Sequence, residues 1–69
     1  MGARAIVIER METMVDYIII TYVIEDNGYR SPPAHIYIKK SEYSVEREKQ
    51  ELEKAIQEYY NLKKLGLLP

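Results

Sequence analysis

The chain has 69 residues, with ten Lys and Arg against eleven Asp and Glu, one histidine and no cysteine. This length predicts a single domain over residues 1–69, and the lack of cysteine excludes disulfides and thiolate metal sites. A net charge of −1 argues against a general nucleic-acid coat. Domains below ~70–80 residues that lack disulfides and metals usually need a partner subunit, so self-association is favoured.

The first predicted element is a strand at about residues 3–10, where Ile-Val-Ile follows Ala-Arg-Ala. Residues 11–15 contain no Gly, Pro or Asn, so they form either a plain loop or one helical turn. No apolar run reaches the ~20 residues of a membrane-spanning helix, and no secretory signal opens the chain. We therefore expect a cytoplasmic protein without a membrane segment. Its many isoleucines, tyrosines and helix charges are typical of hyperthermophilic proteins.

A β-hairpin carries the strongest local pattern. Its first strand, at about residues 17–26, is rich in β-branched and aromatic side chains. The pair Asn27-Gly28 follows, and Asn-Gly between such runs indicates a type I′ turn, which requires positive φ at both central residues. The returning strand is predicted at about residues 29–40.

The predicted turn fixes a register for this hairpin. It sets Glu25 opposite Arg30 and Asp16 opposite Lys39, which are both pairs of opposite charge. The segment Ser31-Pro32-Pro33 interrupts the returning strand, and prolines cannot donate to a ladder, so this strand is expected at an edge or with a bulge. A bulge here would shift the register beyond it by one residue.

A helix is predicted at about residues 45–65. Ser44 is in position to be the N-cap, Glu46 lies in the first turn, Lys63 in the last, and Gly66 follows as a C′ glycine. The predicted fold class is therefore α+β, a three-stranded antiparallel β-meander followed by one C-terminal α-helix.

Both faces of the predicted hairpin are apolar, but one helix can cover only one face. The aliphatic face around Ile19 and Ile36 is the better candidate for the helix. The other face would then need another cover, and a second copy of the chain is favoured over the N-terminal strand, residues 11–15, a ligand or a foreign partner. The predicted self-association face comprises Ile18, Ile20, Tyr22, Ile24, His35 and Tyr37.

The sequence offers little for catalysis. His35 is the one histidine, and the chain has no cysteine or second histidine that could form a catalytic pair or a metal site with it. A packed side chain is therefore the simpler interpretation of His35. Glycine occurs only at positions 2, 28 and 66, so no phosphate-binding loop is present. We expect a non-enzymatic protein with no catalytic residues, cofactor or metal.

Nucleic-acid binding is the alternative function. Aromatic side chains on a sheet with basic residues at its rim are typical of single-strand binders. Strand tyrosines and edge lysines are also common without any such role. The contacts predicted for this alternative are Arg30, Lys39, Lys40 and Tyr29.

The order of three strands and a helix resembles that of the DNA-binding arms of some integrases and of HicB-like antitoxins. The local likeness to the antitoxins is the helical run Ala55–Tyr60. The chain lacks their Gly-rich turn and their Gly-x-Thr helix entry, so we assign it to neither family.

Overall fold

The computed structural model describes residues 2–68. The central strand of its antiparallel sheet, β2 (Tyr17–Asp26), pairs with β1 (Arg4–Glu12) on one side and with β3 (Tyr29–Arg30) and β4 (Ala34–Lys39) on the other. The predicted α+β fold with a β-meander and a C-terminal helix is confirmed. The elements in chain order are β1 (Arg4–Glu12), β2 (Tyr17–Asp26), β3 (Tyr29–Arg30), β4 (Ala34–Lys39), a 3₁₀ turn (Lys40–Glu42) and α1 (Val45–Lys64).

The connection between β1 and β2 is a tight loop, which resolves the choice between loop and helical turn. Strand β1 is longer than predicted because Met11 and Glu12 continue to pair with β2. The Thr13 N–H then donates to the Tyr17 carbonyl at 2.9 Å. The Thr13 Oγ1 accepts from the Tyr17 N–H at 3.0 Å. These bonds close the loop across its base.

The turn between β2 and β3 forms as predicted. Asn27 has φ 50° and Gly28 has φ 90°, the positive values that a type I′ turn requires. Arg30 pairs with Glu25 across the ladder, and their side chains form an ion pair at 3.4 Å. The register next to the turn is therefore the predicted one.

The register shifts by one residue at Ser31-Pro32-Pro33. Lys39 pairs with Tyr17, so the predicted pairing of Lys39 with Asp16 is wrong. The prolines lack an N–H and split the predicted strand 29–40 into β3 and β4. The hydroxyl of Ser31 stands in for a ladder acceptor, because its Oγ accepts the Ile24 N–H at 2.7 Å. Beyond this segment every β4 side chain lies on the face opposite to the predicted one.

Both ends of α1 form as the sequence predicts. The Ser44 Oγ accepts from the Arg47 N–H at 2.9 Å, the usual N-cap bond. At the other end Gly66 adopts φ 72°. The Gly66 N–H donates to the Lys63 carbonyl at 3.1 Å and the Leu67 N–H to the Leu62 carbonyl at 2.9 Å. These are the two bonds of a Schellman motif.

Helix α1 covers the face of the sheet that carries Ile20. That side chain is fully buried, and Arg10, its pairing partner on β1, reaches Glu48 of α1. The prediction that the helix covers the face around Ile19 is therefore wrong. The register shift is the physical reason, because it makes the covered face the more aliphatic one. That face carries Ile18, Ile20, Tyr22 and Ile24 of β2 with Ala34, Ile36 and Ile38 of β4.

A cluster of charged and polar side chains fastens the start of α1 to β1. The Arg10 guanidinium donates two hydrogen bonds to the Glu48 carboxylate, at 2.8 and 2.6 Å. The Tyr43 hydroxyl donates a third at 2.7 Å. The hydrogen bond from Arg10 is the main reason why the pKa of Glu48 lies below its usual value.

A second cluster fastens the end of α1 to the β2–β3 turn. Asp26 accepts hydrogen bonds from the Lys63 ammonium and the Tyr59 hydroxyl, each at 2.8 Å. Both bonds lower the pKa of Asp26, that from Lys63 more strongly. The helix is thus held against the sheet at both of its ends.

Candidate interaction surface

The sheet face opposite α1, here called the open face, has no layer packed on it in the part of the chain that the structure describes. Tyr37 is 61% exposed, and Met11 is half exposed. Val23 differs from them, because it lies on the same face yet is buried. By the strand pairing, the open face comprises Arg4, Ile6, Glu9 and Met11 of β1, Tyr17, Ile19, Thr21, Val23 and Glu25 of β2, Arg30 of β3, and His35, Tyr37 and Lys39 of β4.

The structure divides the predicted self-association face between the two sides of the sheet. Its β2 residues, Ile18, Ile20, Tyr22 and Ile24, lie on the side that α1 covers. His35 and Tyr37 lie on the open face instead. The prediction that these six residues share one face is wrong, because the shift at the two prolines reverses β4 relative to β2.

Side-chain contacts across β2 and β4 order the middle of the open face. The rings of Tyr17 and Tyr37 meet edge to face, with centroids 6.4 Å apart and planes at 78°. The Thr21 Oγ1 lies 3.0 Å from the His35 Nδ1, within hydrogen-bonding distance. An edge-to-face pair and a hydrogen bond fix these four side chains, so the surface they present is well defined.

Strand pairing arranges the open face in rows that cross the sheet. Glu9, Thr21 and His35 form one row, and Met11, Ile19 and Tyr37 form the next. A third row, beside the β2–β3 turn, places Glu25 between two arginines. Glu25 binds Arg4 at 3.0 Å and Arg30 at 3.4 Å.

Exposed apolar side chains are concentrated on the β1–β2 hairpin. Met14 at its tip is fully exposed and Val15 is largely so. Ile8 is 57% exposed at a β-bulge, where it is the extra residue between the pairs formed by Val7 and Glu9. Met14 and Val15 place apolar surface at the loop end of the sheet, and Ile8 places it along the β1 edge.

The residues predicted to contact nucleic acid are not brought together. Tyr29 lies on the covered side, where its ring stacks on Tyr59 with centroids 6.1 Å apart. Arg30 and Lys39 lie at opposite ends of the sheet, roughly 26 Å apart along β2. Lys40 is exposed in the 3₁₀ turn.

Within residues 2–68, no three His, Asp or Glu side chains group in a way that could hold a metal ion. No helix in that range is both long enough and apolar enough to cross a membrane. No family model, curated protein or solved structure matches this chain.

Proposed function

We propose that this protein is a small, non-enzymatic interaction module whose open face binds a second copy of the chain. The observation that carries the proposal is the exposure of ordered aromatic and apolar side chains on that face, Tyr37 and Met11 foremost. Contiguous exposed apolar surface of this kind marks interaction sites in small proteins. No cofactor is needed for such a role.

The thin core supports the same proposal. Among the described residues only five apolar side chains are buried, namely Ile20, Val23, Ile24, Ile38 and Tyr59. A domain of this size buries only roughly 60% of the surface that its unfolded chain exposes, so it is marginally stable alone. A second copy on the open face would turn two layers into four and add a second core.

The available area is sufficient for a dimer. The Cα atoms extend over 38 × 20 × 18 Å. In a box of these proportions each of the two largest sides makes up about a fifth of the surface, and the accessible surface of the molecule is 5237 Å². That share is about 1000 Å², whereas a standard interface buries roughly 800 Å² on each partner. The open face can therefore supply a complete interface.

Replacing Tyr37 by lysine tests the proposal. The change places a charge at the middle of the interface, where its desolvation is not compensated, so we expect the dimer dissociation constant to rise at least about 100-fold. Sedimentation velocity over a concentration series measures this constant. Because Tyr37 is largely exposed in the single chain, circular dichroism should show an unchanged fold.

Gln57→Lys is the matched control, since it makes the same change in charge on an exposed part of α1. Its dissociation constant should equal that of the parent chain. Equal effects of the two substitutions would argue against an interface on the open face.

Single-stranded nucleic acid is a second candidate for the same face. The register shift favours it, because it places Tyr17, His35 and Tyr37 together with Lys39 on the open face. Bases stack on such aromatic groups, and a lysine can contact the phosphates. A dimer through this face would bury these groups, so the two candidates are mutually exclusive at one surface.

Fluorescence anisotropy with short single-stranded DNA and RNA at low salt separates the two candidates. We expect no change in anisotropy at micromolar protein. Salt-sensitive binding that disappears in a His35→Ala/Tyr37→Ala variant, but persists in Gln57→Lys, would replace self-association with nucleic-acid binding.

A further inference from the structure

We propose that the two copies stack with their open faces together about a two-fold axis that runs along β2, so that β1 of each copy lies over β4 of the other. This inference rests on the self-association proposed above and adds the arrangement of the dimer. It follows from the rows of side chains that strand pairing places across the open face.

Sheet packing leaves two symmetric arrangements to compare. Stacked sheets that pack in the aligned mode keep their strands within about 30° of one another, and homodimers are most often two-fold symmetric. With the axis along the strands, β1 lies over β4 of the second copy. With the axis across the strands, β1 lies over β1 and β4 over β4.

The row Glu9–Thr21–His35 distinguishes the two arrangements by charge. With the axis along β2, Glu9 of each copy faces His35 of the other, and this contact occurs twice. A carboxylate can accept a hydrogen bond from an imidazole N–H, and the Nε2 of His35 remains for this role because its Nδ1 contacts Thr21. With the axis across this row, Glu9 faces Glu9, which is repulsive.

The next row favours the same arrangement through packing. An axis along β2 places Met11 over Tyr37 of the other copy, again twice, and Ile19 over Ile19. A methionine sulfur against an aromatic ring is a favourable contact, and Met and Tyr are enriched in interface cores. The two most exposed side chains of this row would thereby cover each other.

The charged row beside the turn is compatible with this axis because the sheets cross at an angle. Glu25 lies four residues from Thr21, about 13 Å along β2, where a 30° crossing displaces the two sheets sideways by about 7 Å. That displacement exceeds one strand spacing of ~4.8 Å. Since Glu25 has Arg4 on one side and Arg30 on the other, either direction brings it over an arginine of the second copy.

Single cysteines test the axis directly, because the chain has none of its own. The probe is dibromobimane, a short crosslinker that joins two thiols, and the product is a covalent dimer on a denaturing gel. We expect an equimolar mixture of Glu9→Cys and His35→Cys chains to crosslink, and either variant alone to remain uncrosslinked. Crosslinking of the Glu9→Cys chain alone, with no additional dimer formed when His35→Cys is mixed in, would overturn the axis along β2.

Two further variants separate failure of the axis from failure of the dimer. Thr21→Cys lies at the centre of the stacked faces in both arrangements, so it should crosslink by itself. Gln57→Cys, on the exposed side of α1, should not. If Thr21→Cys also remains uncrosslinked and the unmodified chain sediments as a single copy, self-association through the open face is itself wrong. If Thr21→Cys crosslinks and the mixture does not, only the arrangement is wrong.

Discussion

Replacing Ile20 by alanine should lower the free energy of unfolding by about 3 kcal/mol, the typical cost of truncating a fully buried isoleucine. Ile20 lies near the middle of β2 on the face that α1 covers, so its truncation removes apolar side-chain contacts from the core. A domain of this length is stable by only roughly 4–10 kcal/mol, so the loss is a large share of the total. Urea denaturation followed by circular dichroism measures it.

The experiment is best made in the Tyr37→Lys background, because dimerisation makes stability depend on protein concentration. Ile8→Ala is the control, since Ile8 is 57% exposed at the bulge and should change the unfolding free energy by less than about 0.5 kcal/mol. Equal losses for the two variants would mean that α1 does not cover the Ile20 face.

Acid should weaken the attachment of α1 to β1. The pKa of Glu48 is lowered in the folded chain, mainly by its hydrogen bonds from Arg10, relative to the ordinary value of 4.5. A group with a lowered folded pKa stabilises the fold fully above its unfolded pKa and loses that effect as the pH falls through the folded value. The contribution of Glu48 is therefore complete above about pH 5 and declines below about pH 4.5.

Glu48→Gln isolates this contribution. At neutral pH we expect a loss of about 1–3 kcal/mol, nearer the lower figure because the Arg10 side chain is half exposed and water partly replaces its partner. Unfolding free energies from pH 3 to pH 7 give the comparison. The difference between the parent chain and Glu48→Gln should shrink as the pH falls below about 4.5.

Glu46→Gln provides the reference, because Glu46 is exposed in the same first turn of α1. Its pH profile should follow that of the parent chain. A difference between Glu48→Gln and the parent chain that stays constant from pH 7 to pH 3 would contradict the role assigned to the Arg10–Glu48 pair.

The elements of this fold could be predicted because their signals are local. Asn27-Gly28 specifies its turn through backbone φ alone, and Ser44 and Gly66 mark the ends of α1 through hydrogen bonds made within a few residues. Each signal is complete within one turn of chain. The order of strands and helix follows from them.

The candidate site could not be predicted, because it depends on a shift of one residue in the pairing of β4 with β2. Ser31-Pro32-Pro33 indicates an interruption, but it does not say whether the strand resumes in or out of phase. In the structure the Ser31 hydroxyl takes the place of a backbone acceptor for Ile24. Beyond it β4 resumes one residue out of phase, which places His35 and Tyr37 on the face opposite α1.

Contacts between residues that are distant in sequence could not be predicted either. Arg10 and Glu48 are 38 residues apart. In the sequence each resembles an ordinary exposed charge, Arg10 on a strand and Glu48 on a helix. Their pairing becomes visible only when β1 and α1 share a face of the sheet. The same holds for Tyr17 and Tyr37, whose contact requires the shifted register.

The mass of the unmodified chain in solution tests the central claim most directly. Sedimentation equilibrium at micromolar concentrations should give twice the chain mass of 8.2 kDa, and Tyr37→Lys should return it to the mass of a single chain. A parent chain that sediments at 8.2 kDa throughout that range, with Tyr37 still exposed, would contradict self-association through the open face.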